Sequence, residues 1–373
     1  MVTKQMVKVR TDPQTLTNKT LNVKRDNPTA TLLPNGKVLV AGGTGEEHEI
    51  LSTAELYDPA TGMWTMTGSM GTPCWNQKAI LLPSGKVLVL GGGLGGVVRN
   101  SAELYDPATG TWSPTGVLSI PRSEGYTATL LSNGKVLVLG SYYGFSDTPS
   151  TDELGQTYYK ALYTLPTEVY DPATGNWAIS GDLNIGRFDQ TATLLPDGKV
   201  LVASGGGSGG KAFSKAELYD PVTEKWEFTS DLKTGRRLHT ATLLPNHKVL
   251  IVGGVNTNLD NLTSAELFDT VTHQWTSTDS LNVARAYHTA ILLNNGKVLV
   301  VGGGDWKSAE LYDPATGVWT MTGSLNEART GYAATLLQNG KVLVVGGADK
   351  NHKPLSSTEL YDPTTGIWTE TKP

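Results

Sequence analysis

The sequence predicts an all-β protein, a seven-bladed β-propeller with four antiparallel strands per blade. Three observations carry this. A short apolar motif recurs seven times: GKVLVAGG from Gly36, GKVLVLGG from Gly85, GKVLVLGS from Gly134, GKVLVASG from Gly198, HKVLIVGG from His247, and GKVLVVGG from Gly296 and Gly340. Each copy is followed by an aromatic–Asp turn, at Tyr57-Asp58, Tyr105-Asp106, Tyr170-Asp171, Tyr219-Asp220, Phe268-Asp269, Tyr312-Asp313 and Tyr361-Asp362. A tryptophan then closes each unit, and Trp64, Trp112, Trp177, Trp226, Trp275, Trp319 and Trp368 lie 48, 65, 49, 49, 44 and 49 residues apart. A unit this small cannot bury both faces of its own sheet, so it must stack on its neighbours.

The sixth unit shows the elements in order. Its first strand is expected near His288–Leu293, and Asn294-Asn295-Gly296 turns the chain, since glycine after asparagine suits a tight hairpin. The second strand, Lys297–Val301, is apolar on both faces, as a strand buried between two neighbours must be. Gly302-Gly303-Gly304 ends it. A third strand over Ser308–Tyr312 and a fourth around Val318–Met321 complete the unit. The same reading divides the chain into repeats at about 21–68, 69–116, 117–181, 182–230, 231–279, 280–323 and 324–373, behind an irregular segment at 1–20. The amino-terminal strand is expected to flank the seventh blade and protect its edge.

The double glycine, the Tyr-Asp-Pro turn and the tryptophan of the fourth strand resemble those of bacterial kelch-repeat proteins and of the central propeller of galactose oxidase. The resemblance covers roughly Leu21 to Trp368. It implies the fold and leaves the activity open, because function is carried by sites grafted onto folds.

Composition narrows the rest. The 373 residues read as one propeller whose 43 glycines and 19 prolines belong to turns. A net charge of −5 with no basic run argues against nucleic acid. No apolar run is long enough to span a membrane. The single cysteine, Cys74, excludes an internal disulfide. The first residues lack the apolar core of a signal peptide, so the expectation is a monomer that is cytoplasmic, or exported with its signal removed.

In an up-and-down blade the 1–2 and 3–4 turns share one face, and the 2–3 loops and interblade links share the other. The first face is monotonous; the second carries nearly all the variation. The binding surface is therefore expected on the second face, for a protein, peptide or carbohydrate. Trp75 and Trp306, the two tryptophans outside the repeat pattern, fall there. So does the long third loop over 141–167, with Tyr142 and Tyr143. The links carry an arginine in six units: Arg25, Arg122, Arg187, Arg236, Arg285 and Arg329. Such arginines bond the blades to one another, or ring the channel mouth as an anion-attracting funnel.

An enzyme is the alternative, with its site at the channel mouth. Tyr126, His239, Tyr287, His288 and Tyr332 are its candidate catalytic residues, acting as a tyrosine–histidine acid–base set. The galactose oxidase resemblance implies a further version. Tyr287-His288 resembles that family's Arg-x-Tyr-His copper ligands, Cys74 lies in a link where the family places the cysteine of its Tyr–Cys cofactor, and Tyr126 is near the tyrosine's place. The chain departs from the pattern: Tyr287 lies four units after Cys74 where the family implies five, and the unit in that place has Tyr332-Ala333. Copper is the one cofactor implied. The G-x-S-x-G match at Gly206–Gly210, the G-x-G-x-x-G match at Gly91–Gly96 and the Asn256, Asn258, Asp260 alternation lack the structural context of their motifs.

Overall fold

The computed structural model describes residues 17–94, 97–122, 124–151, 157–163, 165–207 and 210–371, with the backbone alone at 17–18, 94 and 97 and in the strands Tyr142–Thr151 and Thr157–Tyr163. Seven sheets, each with four antiparallel strands of the repeat, span 29–67, 78–114, 127–182, 191–228, 240–278, 289–322 and 333–371. Their innermost strands touch pairwise around a closed ring. In blade 6 the strands are Thr289–Leu292, Val298–Val301, Ala309–Asp313 and Val318–Thr322, each within about a residue of the sequence-based expectation.

The second strand of each blade is buried at every position but Lys248, which opens the blade 5 strand, and the reason is visible in its partners. In blade 5, Leu250 and Val252 pack against Val298, Val300 and Trp319 of blade 6. The alternate residues Val249 and Ile251 pack against Leu201 and Ala203 of blade 4. A strand's period of two thus feeds two cores at once. Each such side chain contributes about 1.5–3 kcal/mol of apolar burial.

The other anchors bolt neighbouring blades together. Trp319 packs against Tyr312 with the rings tilted and their centroids 4.9 Å apart, and its Nε1 donates to Asp279 O of blade 5 at 3.0 Å. The Tyr312 hydroxyl shares a 2.9 Å hydrogen bond with Thr278 Oγ1 of blade 5. Trp368 and Tyr361 make the same pair of bonds back to Gly323 and Thr322. Repeated residues serve the repeat's interface.

The ring closes without strand exchange. Leu21 N donates to Ser356 O and Arg25 N to Leu355 O, as Leu281 N donates to Thr263 O and Arg285 N to Leu262 O at an internal junction. Leu21, Val38 and Val40 share one core with Leu337, Leu343 and Val345. The amino-terminal strand corrects the sequence-based expectation. Thr17–Asn18 pairs with Trp64 and Thr65, on the outer edge of blade 1 and not blade 7. It is a fifth strand there, hydrogen-bonded to the fourth strand Met63–Thr67 of the blade that follows it in the chain.

Candidate functional site

The links and the 2–3 loops are hydrogen-bonded to each other and form one face. Bridges join Asp26 to Thr44, Trp75 to Gly93, Phe188 to Gly206, Arg237 to Val255 and Thr330 to Ala348. The double glycine permits this approach. A Cβ on Gly253 would lie 2.5 Å from Arg285 O and 2.7 Å from His288 Cε1.

The six arginines do not ring the channel mouth. All six are fully buried inside their blades, each paired with a glutamate of the third strand: Glu55, Glu168, Glu217, Glu266, Glu310 and Glu359. Arg285 Nη1 donates to Gly302 O at 2.6 Å and Ser308 O at 3.1 Å; Nη2 donates to Ser308 Oγ at 3.1 Å and Glu310 Oε1 at 2.7 Å. Glu310 also accepts from Asn282 N, Asn282 Nδ2 and Val283 N. Arg122, Arg187, Arg236 and Arg329 are committed in the same way, so none offers its charge to a ligand on the face. The glutamates were missed in the sequence, although a charge recurring in every third strand of an apolar repeat was the available signal.

Three residues after the arginine, or four in blade 3, comes a clamp to the preceding blade, except in blade 1, where Pro28 holds the place. His288 Nε2 bonds Thr240 Oγ1 at 2.8 Å, and His239 Nε2 bonds Thr191 Oγ1 at 3.0 Å. The Tyr332 hydroxyl donates to Val301 O at 2.6 Å, and the Tyr126 hydroxyl to Leu90 O at 2.7 Å. Gln77 and Gln190 do the same through their amides. Burial, helped by Arg285, holds the His288 ring down at about 3, and burial with Arg236 lowers His239 well below its usual value. Burial pushes Tyr332 up to about 12 and Tyr126 upward as well. Near neutral pH all four are fixed in their neutral forms, which is the wrong setting for an acid–base pair.

The same bonds bear on copper. The hydroxyls of Tyr126 and Tyr332 are occupied by carbonyls, and Cys74 is buried, its thiol pushed up to about 11 by burial and by Glu103. Among the described residues no three His, Cys, Asp or Glu side chains converge as metal ligands do. This donor set does not fit a copper centre.

Just before the clamp position the backbone turns left-handed in every blade, at Asn27, Asn76, Gly125, Asp189, Leu238, Tyr287 and Gly331, with φ between 51° and 65°. These residues form a collar on the link face. Asp189 N donates to Gly125 O, Leu238 N to Asp189 O, Tyr287 N to Leu238 O and Asn27 N to Gly331 O. Asparagine and glycine suit this conformation, whereas leucine and tyrosine are strained in it. Tyr287 is therefore separated from His288: the histidine is 6% exposed and the tyrosine 73%. Within the collar, the Asp189 carboxylate lies 3.7 Å from the Arg237 guanidinium, and burial pushes that carboxyl up to about 6. Arg237 stacks over Phe188 at 5.4 Å. Lys78 takes a place held by threonine or alanine in the other blades and sits 5.5 Å from the centre of the Tyr126 ring.

Of the remaining candidates, Trp306 is half-buried in a tight turn, left-handed at φ 65°, with its N donating to Gly303 O. Trp75 is half-buried in the link entering blade 2, in another sector of the ring. Tyr142 and Tyr143 lie on a two-stranded arm, Tyr142–Thr151 with Thr157–Tyr163, and their side chains are outside the described residues.

A family model for the KLHDC2/KLHL20/DRC7 kelch-repeats domain matches residues 190–373, and a kelch motif model matches 28–71 and 78–115. An F-box/kelch-repeat protein of Arabidopsis thaliana is 51% identical over 41 residues, a match covering 11% of this chain and 11% of that protein. Among solved structures, a fungal alcohol oxidase of the AA5 family, in complex with copper, is similar with a TM-score of 0.69 at 18% identity, over 92% of this chain and 75% of that one. That likeness is one of fold. With seven four-stranded blades closed into a ring and kelch models matching both halves of the chain, the protein is a kelch-repeat β-propeller.

Proposed function

We propose that the propeller is a binding module whose ligand, a protein, peptide or carbohydrate, docks on the face of the links and 2–3 loops. One observation carries the reading. The candidate catalytic groups His239, His288, Tyr126 and Tyr332 are buried, with the histidine Nε2 atoms and the two hydroxyls engaged between blades, while that face exposes strained apolar groups, Tyr287 at 73% and Leu259 at 62%, both left-handed. Strain kept at an exposed position points to a use for the side chain. Aromatic faces suit peptide and sugar partners alike.

The test is photo-crosslinking in cells that make the protein. A photoreactive residue at position 287 is expected to give adducts. The same residue at position 222, where Val222 is 89% exposed in a 3–4 turn of the opposite face, is expected to give none. Equal adducts at both positions, or none at 287, overturn the reading. The adduct's mass and its sensitivity to protease or glycosidase separate the partner classes. An oxidase at the channel mouth is supported only by the fold it shares with the copper-bound neighbour. One equivalent of copper retained after chelator-free purification would favour it.

A further inference from the structure

Blade 2 breaks the arginine rule. The arginine's place, three residues before the clamp, is held there by Cys74 ahead of Gln77. Among the described residues the thiol's hydrogen bond is to Thr72 O, at 3.4 Å. Where the other blades hold a guanidinium, blade 2 has a cavity of about 10 Å³ lined by Cys74, Gly91, Ser101 and Glu103, with Met70 and Val89 among its apolar walls. Gly91, Ser101 and Glu103 are the counterparts of Gly302, Ser308 and Glu310, which bond Arg285. The cavity is the arginine's imprint.

Its acceptors are left without their cation. Glu103 is 9% exposed and takes hydrogen bonds from Gly71 N at 2.8 Å and Thr72 N at 2.9 Å. Among the described residues no lysine, arginine or histidine nitrogen lies within 4.0 Å of it. The carbonyl of Gly91, whose counterparts each accept from an arginine, receives no hydrogen bond among the described residues. A buried carboxylate is costly without a compensating charge.

We propose that this slot binds a monovalent metal cation, sodium or potassium, in place of the missing guanidinium. The donors are a carboxylate, a carbonyl and a serine, all hard oxygens of the kind such cations take. One carboxylate balances one positive charge. The free space is that of a single water-sized particle. The competing occupants are a plain water and the side chain of Arg99, whose charge acts on Cys74 and whose Nε is buried without a partner. The proposal is independent of the binding-face reading: loss of the cation leaves crosslinking at position 287 untouched.

Crystals of the full chain grown with rubidium or thallium salts give the direct test. An anomalous peak within coordination distance of Glu103 and Gly91 O supports the site. A water, or the Arg99 guanidinium, in the slot overturns it. In solution, the thermal midpoint is expected to be higher in sodium or potassium chloride than in tetramethylammonium chloride at equal ionic strength. It should climb with the logarithm of the cation concentration above saturation. Cys74→Ser keeps the slot and the effect; Glu103→Gln abolishes it. Equal midpoints in the three salts overturn the proposal, and the anomalous experiment needs no variant to fold.

Discussion

Replacing Arg285 by methionine isolates the worth of a buried blade pair. Methionine keeps much of the volume and removes the charge. Gly302 O then loses its 2.6 Å donor, Ser308 O and Oγ lose theirs, and the fully buried Glu310 carboxylate loses the partner that stood 2.7 Å away. Removing one member of a buried pair costs about 3–5 kcal/mol. The control is Lys297→Ala, which breaks an exposed 3.1 Å pair with Asp313 and should cost about 0–1 kcal/mol. The two costs should also differ in their pH dependence. Burial pushes the Glu310 carboxyl up, but the bonds from Asn282, Arg285 and Val283 outweigh it and hold the group below its ordinary range. A carboxyl depressed in the folded state adds stability that is present above its unfolded pKa and is lost as pH falls through the folded value. Without Arg285, burial dominates, the carboxyl rises, and the variant is relieved by protonation. The gap between wild type and R285M should therefore narrow on acidification, while that for K297A stays small. Urea unfolding followed by tryptophan fluorescence at neutral and acid pH measures both. A cost for R285M below about 1 kcal/mol, or a gap that widens in acid, refutes the reasoning.

Three further outcomes follow from the clamps and the collar. His288 is held at about 3 by burial against an ordinary 6.5, so the unfolded chain protonates first and stability drains away as pH falls from 6.5 toward 3. By pH 5 the loss is about 2 kcal/mol, and His288→Gln, the residue used at 77 and 190, should flatten that part of the unfolding profile. Tyr126→Phe removes the hydroxyl that reaches Leu90 O and should cost about 1–3 kcal/mol without changing secondary structure by circular dichroism. Tyr287→Asn should raise stability by up to about 1 kcal/mol, because asparagine accepts a φ of 55°, while weakening ligand capture on the link face. A variant that loses stability instead would mean that Tyr287 packs in the folded state.

The strands were legible because their pattern is local. VLVV between a turn and a double glycine carries its own burial signature, and the structure places Val298–Val301 within one residue of the reading. The site was less legible because its bonds are made between units. Nothing in ARAYHTA says that His288 faces Thr240 of the previous blade or that Arg285 turns inward to Glu310. Adjacent residues also part company there: a left-handed residue separates Tyr287 from His288, so a pair read as one motif is split between solvent and blade interface. The collar itself left a trace, since Asn27, Asn76, Gly125 and Gly331 are the residue types that favour a positive φ. The amino-terminal strand was misplaced because edge protection alone does not say which edge.

The closure between blades 7 and 1 uses the same backbone bonds and the same kind of shared core as the junctions inside the chain, but not their side-chain bolts: Pro28 stands at the clamp position, and Trp64 Nε1 has no hydrogen-bond partner among the described residues. Mechanically, that junction rests on backbone bonds and apolar packing. The order in which the blades follow one another along the polypeptide is then a matter of bookkeeping rather than architecture. A circular permutant opened at the link between blades 3 and 4, with a link of ordinary length joining blade 7 to blade 1, would present the same closed surface.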